Sequence, residues 1–161
     1  MNNHLDASIS MFIGMVFNEH SFIFCMEPEK KERLMDLMNN DNFSHHCNMK
    51  VIDVSEGHSK VVMEIDERHK NFFGTVHGGA IFSLADMALG AASNSHGKLS
   101  MAINCSIHYT KAVTKGQLIA EAKEVSINPK IASYDIIISD DSGDVVASFQ
   151  GMVYRKRDDI I

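Results

Sequence analysis

The stretch Ala80-Ile81-Phe82-Ser83-Leu84-Ala85-Asp86-Met87-Ala88-Leu89-Gly90-Ala91-Ala92 decides the fold. It is rich in helix formers and apolar on every face of a helix, and a helix that is hydrophobic all round is expected to be buried all round. The helix is expected to end near Gly97. Directly after it, Leu99 to Tyr109 alternates without a break. Leu99, Met101, Ile103, Cys105, Ile107 and Tyr109 fall on one face, and Ser100, Ala102, Asn104, Ser106 and His108 on the other, which is the period of a strand. Three more strand-like stretches follow, roughly 116–127, 130–139 and 144–155, separated by Pro129 and by Asp140-Asp141-Ser142-Gly143. Upstream, residues 47–55 and 60–66 read as a hairpin around Glu56-Gly57-His58-Ser59, with Val61, Met63 and Ile65 on one side. Before them, Glu27-Pro28-Glu29 opens a short amphipathic helix in which Leu34, Leu37 and Met38 recur at helical spacing until Asn39-Asn40. Strands joined by short connections pair antiparallel, because a parallel crossover needs a dozen or more residues. The expectation is an α+β domain whose long antiparallel sheet wraps one apolar helix.

Length and composition agree with a single globular domain: 161 residues, 45% hydrophobic and 22% charged. Fifteen Lys and Arg against 21 Asp and Glu leave a net charge of −6. That argues against nucleic-acid binding, which needs clustered positive charge. Cys25, Cys47 and Cys105 are odd in number and far apart, pointing to reduced thiols and a cytoplasmic setting. Residues 9–17 are apolar, yet the first basic residue is Lys30 and the run stops at Asn18-Glu19-His20. Neither a signal peptide nor a membrane span is expected. Residues 1–26 show no clean period and contain Met11, Met15 and Met26. They read as an extension, dispensable or partner-contacting, or as sequence ahead of a later translation start; the domain proper is residues 27–161.

Chemistry concentrates in and before the apolar helix. Between Gly78 and Ser95 the single charged residue is Asp86, and an ionised carboxylate buried without partners costs several kcal/mol. Asp86 therefore marks either a functional site or a wet surface with a nearby backbone partner. Just upstream, Asn71-Phe72-Phe73-Gly74-Thr75-Val76-His77-Gly78-Gly79 runs into the helix. Glycines at a helix start expose unpaired N–H groups where the dipole favours developing negative charge, a place suited to an oxyanion. A tight loop that uses its glycines only for turn geometry explains the same residues.

The Asn-x-x-Gly-x-x-His-Gly-Gly core with Leu84-Ala85-Asp86 resembles the signature of hotdog-fold acyl-CoA thioesterases of the phenylacetate-degradation (PaaI) type, over roughly residues 43–155. The resemblance implies a long helix wrapped by a curved antiparallel sheet, subunits that pair their sheets as a homodimer or homotetramer, and active sites at the dimer interface. It also implies an acyl-CoA substrate, with neither cofactor nor metal. Carried over by position, Asp86 is the general base or nucleophile, and the Gly78-Gly79 helix N-terminus polarises the thioester carbonyl. Asn71 orients the carbonyl or the attacking water, His77 serves loop architecture or a hydrogen bond near the thioester, and Gly74 belongs to the substrate loop.

Two positions depart from the pattern. Where relatives carry a serine or threonine on the following strand, this chain has Ala102, leaving Ser100, Asn104 or later helix residues as assistants. Where relatives often have a glycine and a basic residue bordering the nucleotide, this chain has Asn128-Pro129-Lys130, keeping the charge but losing one backbone donor. Lys130 is the named candidate for coenzyme A, among Lys98, Lys111, Lys115, Lys123 and Arg155-Lys156-Arg157. His45-His46-Cys47, read on a strand, points to opposite faces and does not converge on a metal. Cys105 reads as a core thiol, and Met87 or Met101 as core filling or acyl-pocket lining. Two alternatives remain open: a non-catalytic acyl-CoA-binding module, and an enoyl-thioester hydratase. The hydratase is disfavoured because the nearest histidine after Asp86 is His96, ten residues on.

Overall fold

A computed structural model describes residues 26–160, so the extension expected over 1–26 lies, apart from Met26, outside the described residues. Two helices, α1 (Pro28–Asn39) and α2 (Asn42–His46), precede the hairpin β1 (Met49–Ser55) and β2 (His58–Glu64). A short 3₁₀ turn over Glu67–His69 leads to the long helix α3 (Gly78–Asn94). Strands β3 (Lys98–Tyr109), β4 (Gln117–Ile127), β5 (Ile131–Asp140) and β6 (Val145–Asp159) complete the chain. All six strands pair antiparallel in the order β1-β2-β4-β5-β6-β3. The sheet curves around α3, the α+β arrangement expected from the sequence.

One core fills the space between sheet and helix. Leu84 and Leu89 of α3 share one hydrophobic cluster with Val61, Leu118, Tyr134, Ile136, Ile138 and Phe149, all of them fully or almost fully buried. Helix α3 comes especially close to β6, because a Cβ on Gly151 would stand 2.5 Å from Leu89 Cδ2. Buried polar groups tie the helix to its surroundings. Ser59 Oγ donates to the Ala88 carbonyl at 2.7 Å. At the C-terminal end, Asn94 Oδ1 accepts from the Ser100 amide at 2.9 Å while its Nδ2 donates to the carbonyls of Gly90 and Ser100. Helix α1 guards the β1 edge: the Asn39 side chain exchanges hydrogen bonds with the Val51 backbone, and Lys31 pairs with Asp53 at 2.6 Å.

Four sequence expectations are corrected. Helix α3 is not buried all round: Gly79 and Asp86 are exposed and Ser83 and Gly90 half-buried. Small or polar residues spaced by four, three and four make one open stripe, which the sheet does not cover. Strand β3 does not keep one face from end to end. Ala102 faces Val153 and Asn104 faces Met152, so Ile103 is an extra residue, and this bulge moves the core-facing side chains from Ser100 to Cys105 and Ile107. Nor does β3 pair with β4, the strand that follows it. After α3 carries the chain across the sheet, β3 lands at the far edge beside β6. Residues 110–116 then return across three strand spacings, about 14 Å, well within the reach of seven extended residues. Last, His45 and His46 end a helical turn rather than sitting on a strand. Asp41 starts that turn by accepting from the Ser44 amide at 2.7 Å.

Candidate active site

The loop before α3 is built by Asn71. Its Oδ1 accepts from the amides of Phe73 at 2.9 Å and Thr75 at 3.3 Å, and its Nδ2 donates to Thr75 Oγ1 at 2.9 Å. The Asn71 backbone exchanges hydrogen bonds with Thr75 and Gly74, and Gly74 turns the chain at φ +79. Both polar atoms of the Asn71 amide are thus engaged by the turn. The loop leaves Phe72 and Phe73 outside, stacked on each other with ring centroids 4.0 Å apart.

His77 is the N-cap of α3. Its Nδ1 accepts from the Gly79 amide at 2.8 Å, so the neutral ring carries its proton on Nε2. The His77 carbonyl takes the amides of Ala80 at 2.9 Å and Ile81 at 3.3 Å. Among the opening amides of the helix, only Gly78 N–H has no protein acceptor among the described residues. Two glycines look equivalent in sequence, but the structure leaves one of them, Gly78, as a free donor.

Tyr109 holds that donor in place. Its hydroxyl donates to the Gly78 carbonyl at 2.9 Å, and a Cβ on Gly78 would lie 3.2 Å from the Tyr109 ring. Burial pushes the phenol above its ordinary value, keeping it a donor. Sequence reasoning placed Tyr109 only at the end of an alternating strand. The available signal was that this strand ends on an aromatic with a hydroxyl, and nothing in one dimension paired it with Gly78.

Asp86 stands on the open stripe of α3. It lines a groove of about 440 Å³ between α3 and the α1–α2 arm. Burial is the sole cause that raises its carboxyl above the ordinary value, with neither a hydrogen bond nor a countercharge to lower it. Solvent still reaches the side chain, so the shift comes from apolar walls around a wet carboxylate. Cys105 lies near enough for the Asp86 charge to add to the burial that raises its thiol, which keeps the sulfur protonated and a poor nucleophile. His96, the nearest later histidine, is spent elsewhere: it binds Glu124 at 2.6 Å, beside the buried Tyr134 hydroxyl.

Asp86 and Gly78 are eight residues apart on one straight helix, about 12 Å of axial rise. One chain therefore does not bring its acid and its free amide donor to the same atom. Lys130 is exposed in the β4–β5 turn, which Asn128 Oδ1 organises by accepting from the Lys130 and Ile131 amides. Of the other basic candidates, Lys111 is held by Asp140 and Asp144, Lys98 by Asp159, and Arg155 donates to the Asn128 carbonyl. Among the described residues no cluster of three metal-ligating side chains forms, and no helix is long and apolar enough to cross a membrane.

Residues 73–147 match the model of the thioesterase superfamily. A protein of Archaeoglobus fulgidus, provisionally named an esterase, is 41% identical over 141 residues, covering 84% of this chain and 92% of its own length. The acyl-coenzyme A thioesterase PaaI of Escherichia coli is 31% identical over 117 residues, 72% of this chain and 84% of its own. The solved structure of the E. coli PaaI protein, from the phenylacetic acid degradation operon, superimposes with a TM-score of 0.78 at 29% identity, over 83% of this chain and 98% of that one.

Proposed function

Because this chain belongs to the thioesterase superfamily, in its PaaI-like hotdog branch, and is a thioester hydrolase, we propose that it cleaves an acyl-CoA between two copies of itself. Asp86 comes from one copy and the free Gly78 amide from the other. The observation that carries this reading is the separation of about 12 Å along α3 between the two groups. A second copy related by a two-fold axis supplies the missing half to each site. Strand β3 offers the surface for it: a twelve-residue edge with Met101 and Ile103 more than half exposed and, among the described residues, no strand on its outer side. Pairing β3 with β3 would extend the sheet and give a homodimer, itself the unit of any homotetramer.

In this arrangement the thioester oxygen accepts from Gly78 N–H at the positive end of the α3 dipole. Water adds to the carbonyl carbon while Asp86 takes its proton, or the Asp86 carboxylate adds first and water releases the acyl-enzyme. Either way the tetrahedral intermediate expels coenzyme A by breaking the C–S bond, and the sulfur leaves as thiolate and takes up a proton. The Asn71 turn, the His77 cap and the Tyr109 clamp position the amide without touching the reacting atoms. Gly74 shapes the substrate loop, and Lys130, exposed and free of a carboxylate partner among the described residues, is placed to meet a coenzyme A phosphate. The reading keeps the cytoplasmic setting expected from unpaired thiols.

Free-thiol release from aryl-, short-, medium- and long-chain acyl-CoA esters tests the activity. Wild type should hydrolyse at least one class, and Asp86→Asn should lose about 10²- to 10⁴-fold in kcat. Complementation tests the shared site. Gly78→Pro removes the N–H at a helix position that accepts proline. When co-expressed with Asp86→Asn it should restore about a quarter of wild-type activity, since half the dimers are mixed and each has one intact site. No recovery from two variants that still assemble would refute the shared site. Thioester binding without release by wild type would instead favour an acyl-CoA-binding module.

A further inference from the structure

We propose that the groove beside Asp86 is the acyl pocket of the thioester substrate, with Gly90 as its floor and Met38 as its end stop, and that it takes an unbranched aliphatic chain of medium length. This rests on the thioesterase reading above and adds the substrate class. The groove is formed within a single chain, between the open stripe of α3 and the α1–α2 arm. Most of its wall is apolar, from Leu37 and Met38 of α1, Phe43 just inside α2, Phe82 and Met87 of α3, and Ile160 after β6, while Asp41, Ser44 and Ser83 add polar groups. Leu37 and Phe43 are 48% and 58% exposed, so two large apolar side chains border a space with nothing of the described chain in it. Phe82 is held against the core by an edge-on contact with Phe149, ring centroids 5.2 Å apart, which makes it a fixed wall.

The stripe explains the direction of the groove. Asp86 and Gly90 are one helical turn apart, so Gly90 lies roughly 6 Å beyond the carboxylate along the axis, the reach of about five methylenes. A glycine there keeps the floor open, and a Cβ at that position would already stand 3.3 Å from Met38 Cε. The groove thus runs along the helix from Asp86 to Gly90, where the flexible Met38 thioether lies over the glycine. Phe82 lies one turn on the other side of Asp86, so the stretch from Asp86 to Gly90 is bordered by the flexible side chains of Met87 and Met38 and suits a chain laid along the helix. Methionines at the end of the pocket adapt to chains that differ by a carbon or two.

S-alkyl-CoA thioethers, which no thioesterase hydrolyses, read the pocket without chemistry. Calorimetric titration of the full chain should show Kd falling about fourfold per methylene from ethyl to roughly octyl, then levelling. Gly90→Val should bring the plateau about two carbons earlier and leave ethyl-CoA binding unchanged. Met38→Ala should move the plateau to longer chains, and it keeps the test alive if valine in α3 impairs folding. A phenylethyl thioether should bind more weakly than the octyl compound. Flat affinity across chain lengths, one plateau shared by wild type and both variants, or a phenylethyl ligand that binds tighter than octyl would overturn the proposal. The two readings fail separately. Chain-length-dependent binding without thiol release from any acyl-CoA sinks the catalytic reading alone, whereas release with flat thioether binding sinks the pocket alone.

Discussion

Adding a single methyl group at Gly151 should disturb both stability and turnover. Its Cβ would meet Leu89 Cδ2 at 2.5 Å and Cδ1 at 2.9 Å, where carbon pairs rest at about 3.5–4.0 Å. Leu89 is fully buried, so the shortfall of about 1 Å has to be taken up by a strained Leu89 rotamer in a filled core or by movement of helix α3 against β6. Overpacking of this kind costs about 1–3 kcal/mol, which lowers the melting temperature of a chain this size by roughly 5 °C. Leu89 is also three residues from Asp86 on the same helix, so a helix displaced by 1 Å carries the carboxylate with it. A misplacement of that size can cost on the order of 10²-fold in rate. Thermal denaturation and thiol-release kinetics should therefore show Gly151→Ala folded at room temperature, several degrees less stable, and reduced in kcat. The control is Leu89→Ala, which alone should cost about 2–5 kcal/mol through its cavity. In the double variant the new methyl enters that cavity, so the combined loss should fall short of the sum by 1 kcal/mol or more. Additive losses, or a Gly151→Ala protein with wild-type melting and kcat, would refute the argument that close approach at this point sets the position of Asp86.

Three further outcomes follow from the site. Burial raises the Asp86 carboxyl, so the folded protein holds this proton more tightly than the unfolded chain does. Its effect on stability is fully favourable below the unfolded carboxylate value and is lost as pH climbs through the raised folded value. Asp86→Asn should then melt higher than wild type at pH 7.5, by a margin that shrinks at pH 4; an unchanged margin would contradict a desolvated carboxylate. Tyr109→Phe deletes one hydroxyl and keeps the ring, so kcat should fall about 10-fold with KM for acyl-CoA nearly unchanged, and an unaltered kcat would remove Tyr109 from the positioning of Gly78. Met101→Lys with Ile103→Lys puts two charges on the outward β3 edge. Sedimentation should show dissociation together with loss of turnover, and a fully active monomer would dispose of the shared site.

Local chemistry was legible in the sequence wherever one element sufficed to express it. The hairpin, the four later strands and the glycine-led helix all announced themselves by period and turn residues, and the motif from Asn71 to Asp86 stood out by its resemblance to the PaaI-type signature, its residues alone leaving a plain tight loop open. What stayed hidden depended on partners distant in sequence. The place of β3 beside β6 is decided by where α3 delivers the chain, and the bulge at Ile103 by pairing with β6. The open stripe was present in the sequence as Gly79, Ser83, Asp86 and Gly90, but reading the helix as uniformly apolar concealed it. Asn71 and His77 were found as residues, while the donors they satisfy, and hence the distinction between Gly78 and Gly79, required coordinates.

Helix α3 and strand β3 are fastened to each other at both ends. The Tyr109 hydroxyl grips the first residue of the helix, and Asn94, the last, grips the strand at Ser100. The helix between those points is about 24 Å long and the strand about 30 Å, so the two elements stand to each other as a bow and its string. Any bending of the outer edge of the sheet would therefore be felt first at the two ends of the helix, one of which carries the Gly78 amide. Under the proposed pairing of two copies through β3, turnover should thus follow what happens at this edge strand, falling on dilution and returning when the protein is concentrated again.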